Sequence, residues 1–132
     1  MSQTVREWMS SPVIFVDADS AVAQALTLMR RRNIHSLMVA LSGNDLGIIT
    51  TTDIRDKIAG AERDPKATLV REIMSTPVVM AHPDMTLKEC SLKMQASGVH
   101  HLPVANERGT VVGMISANDI FAAIEEIGWV EL

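Results

Sequence analysis

Cysteine is nearly absent. Cys90 stands alone among 132 residues, so the chain can close no internal disulfide and assemble no cysteine-based zinc site, and a reducing compartment is expected. Aromatic residues are scarce too, with two Trp, two Phe and no Tyr. The core must therefore come from aliphatic side chains and the nine methionines, whose flexible thioethers fill irregular gaps. No apolar run approaches the ~20 residues that cross a bilayer, and the opening Met1-Ser-Gln-Thr-Val-Arg-Glu-Trp8 holds no stretch of signal-peptide length. A cytoplasmic protein with no membrane partner is expected. Basic charge is not in excess: the formal net charge is -4, which argues against a general nucleic-acid binder, since that affinity rests on neutralised phosphates. The one basic run, Arg30-Arg31-Arg32, falls at an expected helix end, where cations complement the helix dipole.

Catalytic signatures are missing as well. There is no Gly-x-x-x-x-Gly-Lys-Ser/Thr phosphate loop, no His-Glu-x-x-His helix, and no nucleophile in a recognisable motif. His82, Cys90, His100 and His101 are not spaced to gather around a metal. The chain is expected to be neither an enzyme nor a metal binder.

What the chain has is a repeat. Val5-Arg-Glu-Trp-Met-Ser-Ser-Pro-Val13 returns as Val70-Arg-Glu-Ile-Met-Ser-Thr-Pro-Val78 at an offset of 65. The same offset aligns Asp19 with Asp84, Met29 with Met94, His35 with His100, Leu37 with Leu102 and Val39 with Val104. A one-residue insertion then shifts it to 66, and Gly47, Ile49, Asp53, Ile54 and Ile58 meet Gly113, Ile115, Asp119, Ile120 and Ile124. The polar stretch Gly60–Ala67 reads as a connector, which divides the chain into repeats over residues 1–62 and 63–132.

Each repeat reads as strand, helix, strand, strand, helix. Pro12–Val16 and Pro77–Ala81 are short apolar runs that suit buried strands. From Ser20 to Arg32, Val22, Ala25, Leu26 and Met29 recur at helical spacing, and Leu87, Cys90 and Met94 repeat the pattern before a C-capping Gly98. Leu37–Leu41 with Leu46–Thr50, and Leu102–Ala105 with Val111–Ser116, flank polar turns and read as hairpins. Closing helices are expected from near Thr51 to Gly60 and over Ala117–Ile127. One such unit has too little core to stand alone, so the fold class is α/β (α+β), two β-α-β-β-α repeats packed through their sheets with approximate two-fold symmetry.

The chemistry-bearing positions lie at the strand-to-helix junctions Gly47-Ile-Ile-Thr50-Thr-Thr-Asp53 and Gly113-Met-Ile-Ser116-Ala-Asn-Asp119. A hydroxyl followed three residues later by a carboxylate is a capping arrangement. The same geometry can receive a ligand, with the hydroxyl and free N–H groups holding phosphate while the carboxylate takes both ribose hydroxyls. Gly47 and Gly113 either allow tight packing or let a ligand approach the backbone. His35, His100 and His101 sit just before the second strand of each repeat and, when protonated, could meet phosphate.

Met-Ser-x-Pro-Val, the Asp84-Met-Thr-Leu87 helix start, Gly98-Val-His-His-Leu-Pro-Val104 and the Gly-x-x-Ser-x-x-Asp ending together resemble the cystathionine-β-synthase-type domain, or CBS domain. The resemblance covers about residues 5 to 124, and two such domains in tandem form a Bateman module. It implies a non-catalytic regulatory module whose clefts between the repeats take adenosine-containing ligands such as AMP, ADP, ATP or S-adenosylmethionine. By position, the resemblance implies ribose binding by Asp53 and Asp119. It implies phosphate binding by Thr50, Ser116, His35, Ser36, His100 and His101, and adenine binding by Ser11, Pro12, Val13 and Ile14 and by Thr76, Pro77, Val78 and Val79. Ser36 stands where the second repeat has His101, so phosphate binding that depends on that position should be weaker on Ser36's side. Which leading segment serves which Asp stays open at this level. Bateman modules often pair, so a homodimer is implied, and signalling would run in trans to an unknown effector protein. The alternative is a ligand-free assembly module in which the caps are only caps and Trp8, Phe121, Ile124 and Trp129 supply a dimer face.

Overall fold

Each repeat opens with a short segment that does not finish its own repeat but closes the other one. In the computed structural model, which describes residues 2–130 and 132, the elements run α1 (Val5–Trp8), β1 (Phe15–Asp17), α2 (Val22–Arg32), β2 (Ser36–Ala40), β3 (Leu46–Thr50) and α3 (Thr51–Ile54), which continues as a π-helical turn over Arg55–Ala59. Then come α4 (Val70–Ile73), α5 (Leu87–Ser97), β4 (His101–Ala105), β5 (Val111–Ser116) and α6 (Ala117–Ile127). Two compact units result: Ile14–Val78, and Val79–Leu132 together with the leading segment through Val13.

The bonds that build these units are duplicated. Val5 N donates to Met85 O at 2.9 Å and Arg6 N to Pro83 O at 2.9 Å; one repeat later, Val70 N donates to Ser20 O at 2.8 Å and Arg71 N to Ala18 O at 2.9 Å. Arg6 pairs with Asp84 at 2.8 Å and Arg71 with Asp19 at 2.6 Å. In both pairs the hydrogen bond from the guanidinium holds the aspartate below its ordinary range. Val5 and Val70 are fully buried, and burial of a side chain of this kind contributes about 1.5–3 kcal/mol.

In the unit Ile14–Val78, β1 pairs parallel with β2, which pairs antiparallel with β3. Its core gathers Val22, Ala25 and Met29 of α2, spaced three and four apart on one face, with Leu37, Val39, Ile49, Ile58, Val70 and Ile73. The other unit centres on the antiparallel β4–β5 pair, and its core holds Leu87, Cys90, Met94, Leu102, Val104, Ile115, Ile120 and Ala123 around Val5. The residue inserted in the second repeat is absorbed as a bulge, because Val104 faces Gly113 while Ala105 faces Val111, leaving Val112 unmatched. Left-handed residues end α2 and α5, Asn33 and Gly98 respectively.

The hairpins and the closing helix Ala117–Ile127 form where expected. The first strands are shorter than expected. Only Phe15–Asp17 of the first run is strand, and Pro77–Ala81 contributes a single parallel bridge from Ala81 to Val104. Pro12 and Pro77 have no N–H to give a ladder, so pairing waits until the chain has passed them. Helix α2 begins at Val22 because the backbone of Ser20 and Ala21 is engaged by Val70 and Leu69. The first closing helix is α-helical only as far as Ile54.

Gly47 and Gly113 prove to be packing glycines. A Cβ at Gly113 would lie 2.6 Å from Met9 Sδ and 3.0 Å from Ser10 O, and one at Gly47 would lie 2.8 Å from Met74 Sδ. Overpacking of this kind costs about 1–3 kcal/mol. Gly113→Ala is therefore expected to lower the unfolding free energy by about that amount in urea titrations, and an unchanged midpoint would show that the leading segment does not press on β5.

Candidate functional site

Both junctions are full capping boxes. Thr50 N donates to Asp53 Oδ2 at 3.0 Å, Thr50 Oγ1 lies 3.2 Å from the same oxygen, and Asp53 N donates back to Thr50 Oγ1 at 3.2 Å. Ser116 and Asp119 repeat this at 2.7, 3.1 and 3.4 Å. The β-ladders set the second-strand residues beside the hydroxyls, since Ser36 faces Thr50 and His101 faces Ser116 across antiparallel strands. Directly opposed side chains of such a pair share one face of the sheet. His35 and His100 are exposed at the rim, and their carbonyls accept the first helical N–H groups, from Thr51 at 3.0 Å and Ala117 at 2.9 Å.

The structure answers the pairing question that the sequence leaves open. Ser10 exchanges two backbone hydrogen bonds of 2.9 Å with Met114, two residues before Ser116. Ser75 exchanges bonds of 2.8 and 3.2 Å with Ile48, two residues before Thr50. Ser11, Pro12 and Val13 therefore fall in the same compact unit as Asp119, and Thr76, Pro77 and Val78 in the same unit as Asp53. Ile14 and Val79 begin the next unit along the chain: Ile14 O accepts Met38 N at 3.0 Å, and Val79 packs on the core around Val5. Both Ser11-Pro12 and Thr76-Pro77 are cis.

The two carboxylates differ. Asp53 is 7% exposed, and its Oδ1 accepts from Lys57 Nζ at 3.0 Å and lies 3.3 Å from Ser75 Oγ. Lys57 Nζ also donates to Ile73 O at 2.8 Å. Asp119 is half-buried, and among the described residues its Oδ1 takes no hydrogen bond and no ion pair. No buried side-chain oxygen or nitrogen among the described residues is left without a partner, so Asp119 Oδ1 reaches solvent.

Lys57 and Ser75 were not among the expected site residues. The signal was present, because Lys57 lies four residues after Asp53, the spacing of a helical ion pair, while the matching position in the second repeat is Ala123. Trp8, which the assembly alternative sets on a dimer face, is half-buried against the core around Val5 and donates from Nε1 to Gln3 at 3.2 Å. Phe121 and Trp129 are 64% and 74% exposed. A groove of about 460 Å³ along β1 and α2, lined by Val16, Leu28 and Arg31 among others, contains none of the expected site residues.

The CBS domain model matches residues 5–60 and 70–126. The chain belongs to the CBS-domain family and carries the domain twice. Among known proteins it is 28% identical over 117 residues to the CBS domain-containing protein YhcV of Bacillus subtilis, covering 89% of this chain and 82% of that one. The solved hexameric CBS-CP12 protein from bloom-forming cyanobacteria superposes with a TM-score of 0.88 at 28% identity, over 98% of this chain and 74% of that one. The CBS domain pair of protein MJ0100, solved in complex with 5-methylthioadenosine and S-adenosyl-L-methionine, gives 0.83 at 25% identity over 95% and 98%. The tandem CBS pair and its α+β fold are thereby established. Several relatives bear enzyme names, but the chain spans only 22–26% of their length, and 47% of an uncharacterized relative. No helix among the described residues is long and apolar enough to cross a membrane.

Beside this site, burial pushes the Cys90 thiol up to about 11, with the Asp119 charge adding to the rise and Lys93 opposing it. The thiolate is the reactive form. At pH 8 the native protein is expected to resist iodoacetamide for as long as it stays folded and to react fully in denaturant; rapid native alkylation, followed by mass spectrometry, would contradict that burial.

Proposed function

We propose that this CBS pair is a non-catalytic regulatory module that binds an adenosine-containing ligand, AMP, ADP, ATP or S-adenosylmethionine, and signals in trans. The observation that carries the reading is the open oxygen of Asp119, a carboxylate held rigid by its capping box at the rim of a unit. Ribose hydroxyls donate to Asp119 Oδ1. A phosphate is met by Ser116, by the first N–H groups of α6 and by the imidazoles of His100 and His101. The adenine lies against Ser11, Pro12 and Val13. The MJ0100 pair, whose structure holds two adenosine compounds, supports the ligand class.

A second reading has its own observation. Phe121, Ile124, Ile127, Trp129 and Val130 are all exposed large apolar residues clustered near one end of the chain, and such a patch suits association with a second copy of the chain. In the regulatory reading the two combine: ligand shifts the population of one assembled state by its differential affinity, and an effector protein reads that state.

A thermal-shift panel of AMP, ADP, ATP, S-adenosylmethionine and NAD is the direct test, because a ligand that binds only the folded chain must raise its melting temperature. A flat panel at millimolar ligand, with a dimeric mass in solution, would favour assembly alone. Asp119→Ala is expected to weaken binding of the active compound by about 1.5–3 kcal/mol, roughly ten- to hundred-fold, as a charge-assisted hydrogen bond is lost. Unchanged affinity in calorimetry would remove Asp119 from the site.

A further inference from the structure

The two aspartates occupy matching positions but offer different hydrogen-bonding capacity. An ionised carboxylate has about four acceptor positions. At Asp53 all four are engaged: Thr50 N and Oγ1 on Oδ2, and Lys57 Nζ and Ser75 Oγ on Oδ1. At Asp119, among the described residues, only the two on Oδ2 are used, by Ser116 N and Oγ. A vicinal diol needs two acceptor positions, so it can be received by Asp119 as it stands, but by Asp53 only after the Lys57 ion pair and the Ser75 contact are displaced.

The difference is written into the sequence. At the offset of 66, Ala123 occupies the place of Lys57, and at the offset of 65, Trp8 occupies that of Ile73, whose carbonyl anchors the Lys57 ammonium. The second repeat therefore has no cation at this position, and its Ala123 is buried in the core. Ser10, the counterpart of Ser75, makes no contact with Asp119 that parallels the one Ser75 makes with Asp53.

We propose that Lys57 and Ser75 act as a built-in substitute for the ribose diol, closing the Asp53 site so that each chain loads one adenosine-type ligand, at Asp119. The proposal rests on the adenosine reading above and adds which of the two sites is used and which residues decide it. Lys57 is the residue that sets the number of sites, and its role is independent of which base-side or phosphate-side contacts a given ligand makes.

Equilibrium dialysis of the full chain against AMP, ATP and S-adenosylmethionine, each in turn, reads the number of sites directly. The expected result is one ligand per chain, with affinity falling more than tenfold in Asp119→Asn and less than twofold in Asp53→Asn. Lys57→Met, checked for native circular dichroism, is expected to raise the count to two. Two sites in the unmodified chain, or an equal loss from Asp53→Asn, would overturn the proposal while leaving the adenosine reading intact. A count still at one in folded Lys57→Met would overturn the role of Lys57. The two aspartate variants decide between the sites even where Lys57→Met does not fold. Absence of binding by all three probes would defeat the adenosine reading, and this proposal with it.

Discussion

Everything in this molecule hangs on the backbone hydrogen bonds that tie the opening segment of each repeat to the helix start of the other. Those bonds use the N–H groups of Val5 and Arg6, or of Val70 and Arg71, which would otherwise be orphaned at the beginning of a four-residue helix. They also engage the carbonyls just before α2 and α5, so both of these helices start against a chain segment from outside their own repeat. Val5 and Val70 then enter cores to which their own repeats contribute little else. Neither sheet is large, three strands in one unit and two in the other, and the borrowed segment supplies part of the cover.

The same exchange assembles the candidate sites. A junction of the type hydroxyl-x-x-Asp becomes a place where something can bind only when other groups stand beside it, and here the exchanged segment provides them. The bridge from Ser10 to Met114 ties the first leading segment to β5, and the bridge from Ser75 to Ile48 ties the second to β3. The glycines at positions 47 and 113 let this segment approach, because a methyl group there would meet the methionine that leads it in. One junction then receives a lysine and a serine on its carboxylate and the other receives neither. Within a duplicated frame the two junctions thus differ in what their carboxylates hold, with Lys57 against Ala123 the change of side chain that removes the cation.

Much of this was legible in the residues. The repeat, its offset and the insertion follow from identities such as Val5-Arg-Glu against Val70-Arg-Glu, and hairpins and long helices follow from apolar spacing and turn chemistry. What periodicity could not reveal was long-range: that Arg6 pairs with Asp84, not with Asp19, depends on which repeat closes on which segment, and both choices satisfy the same local pattern. The strands at Pro12 and Pro77 are shorter than their apolar character suggests, because apolar character signals burial without ensuring a hydrogen-bond partner. The saturation of Asp53 was hidden for a related reason, since one of its donors, Ser75, is 22 residues away.

The exchange also bears on the order in which the molecule can be completed during synthesis. The Ile14–Val78 unit is one uninterrupted stretch, so all its partners exist once residue 78 has left the ribosome. The stretch before it must wait, its strand and helix partners lying more than 70 residues downstream, with a loop-closure entropy that rises with that separation. In the interval Val5 and Trp8 remain uncovered, an apolar hook on the nascent chain whose matching surface has not yet been made.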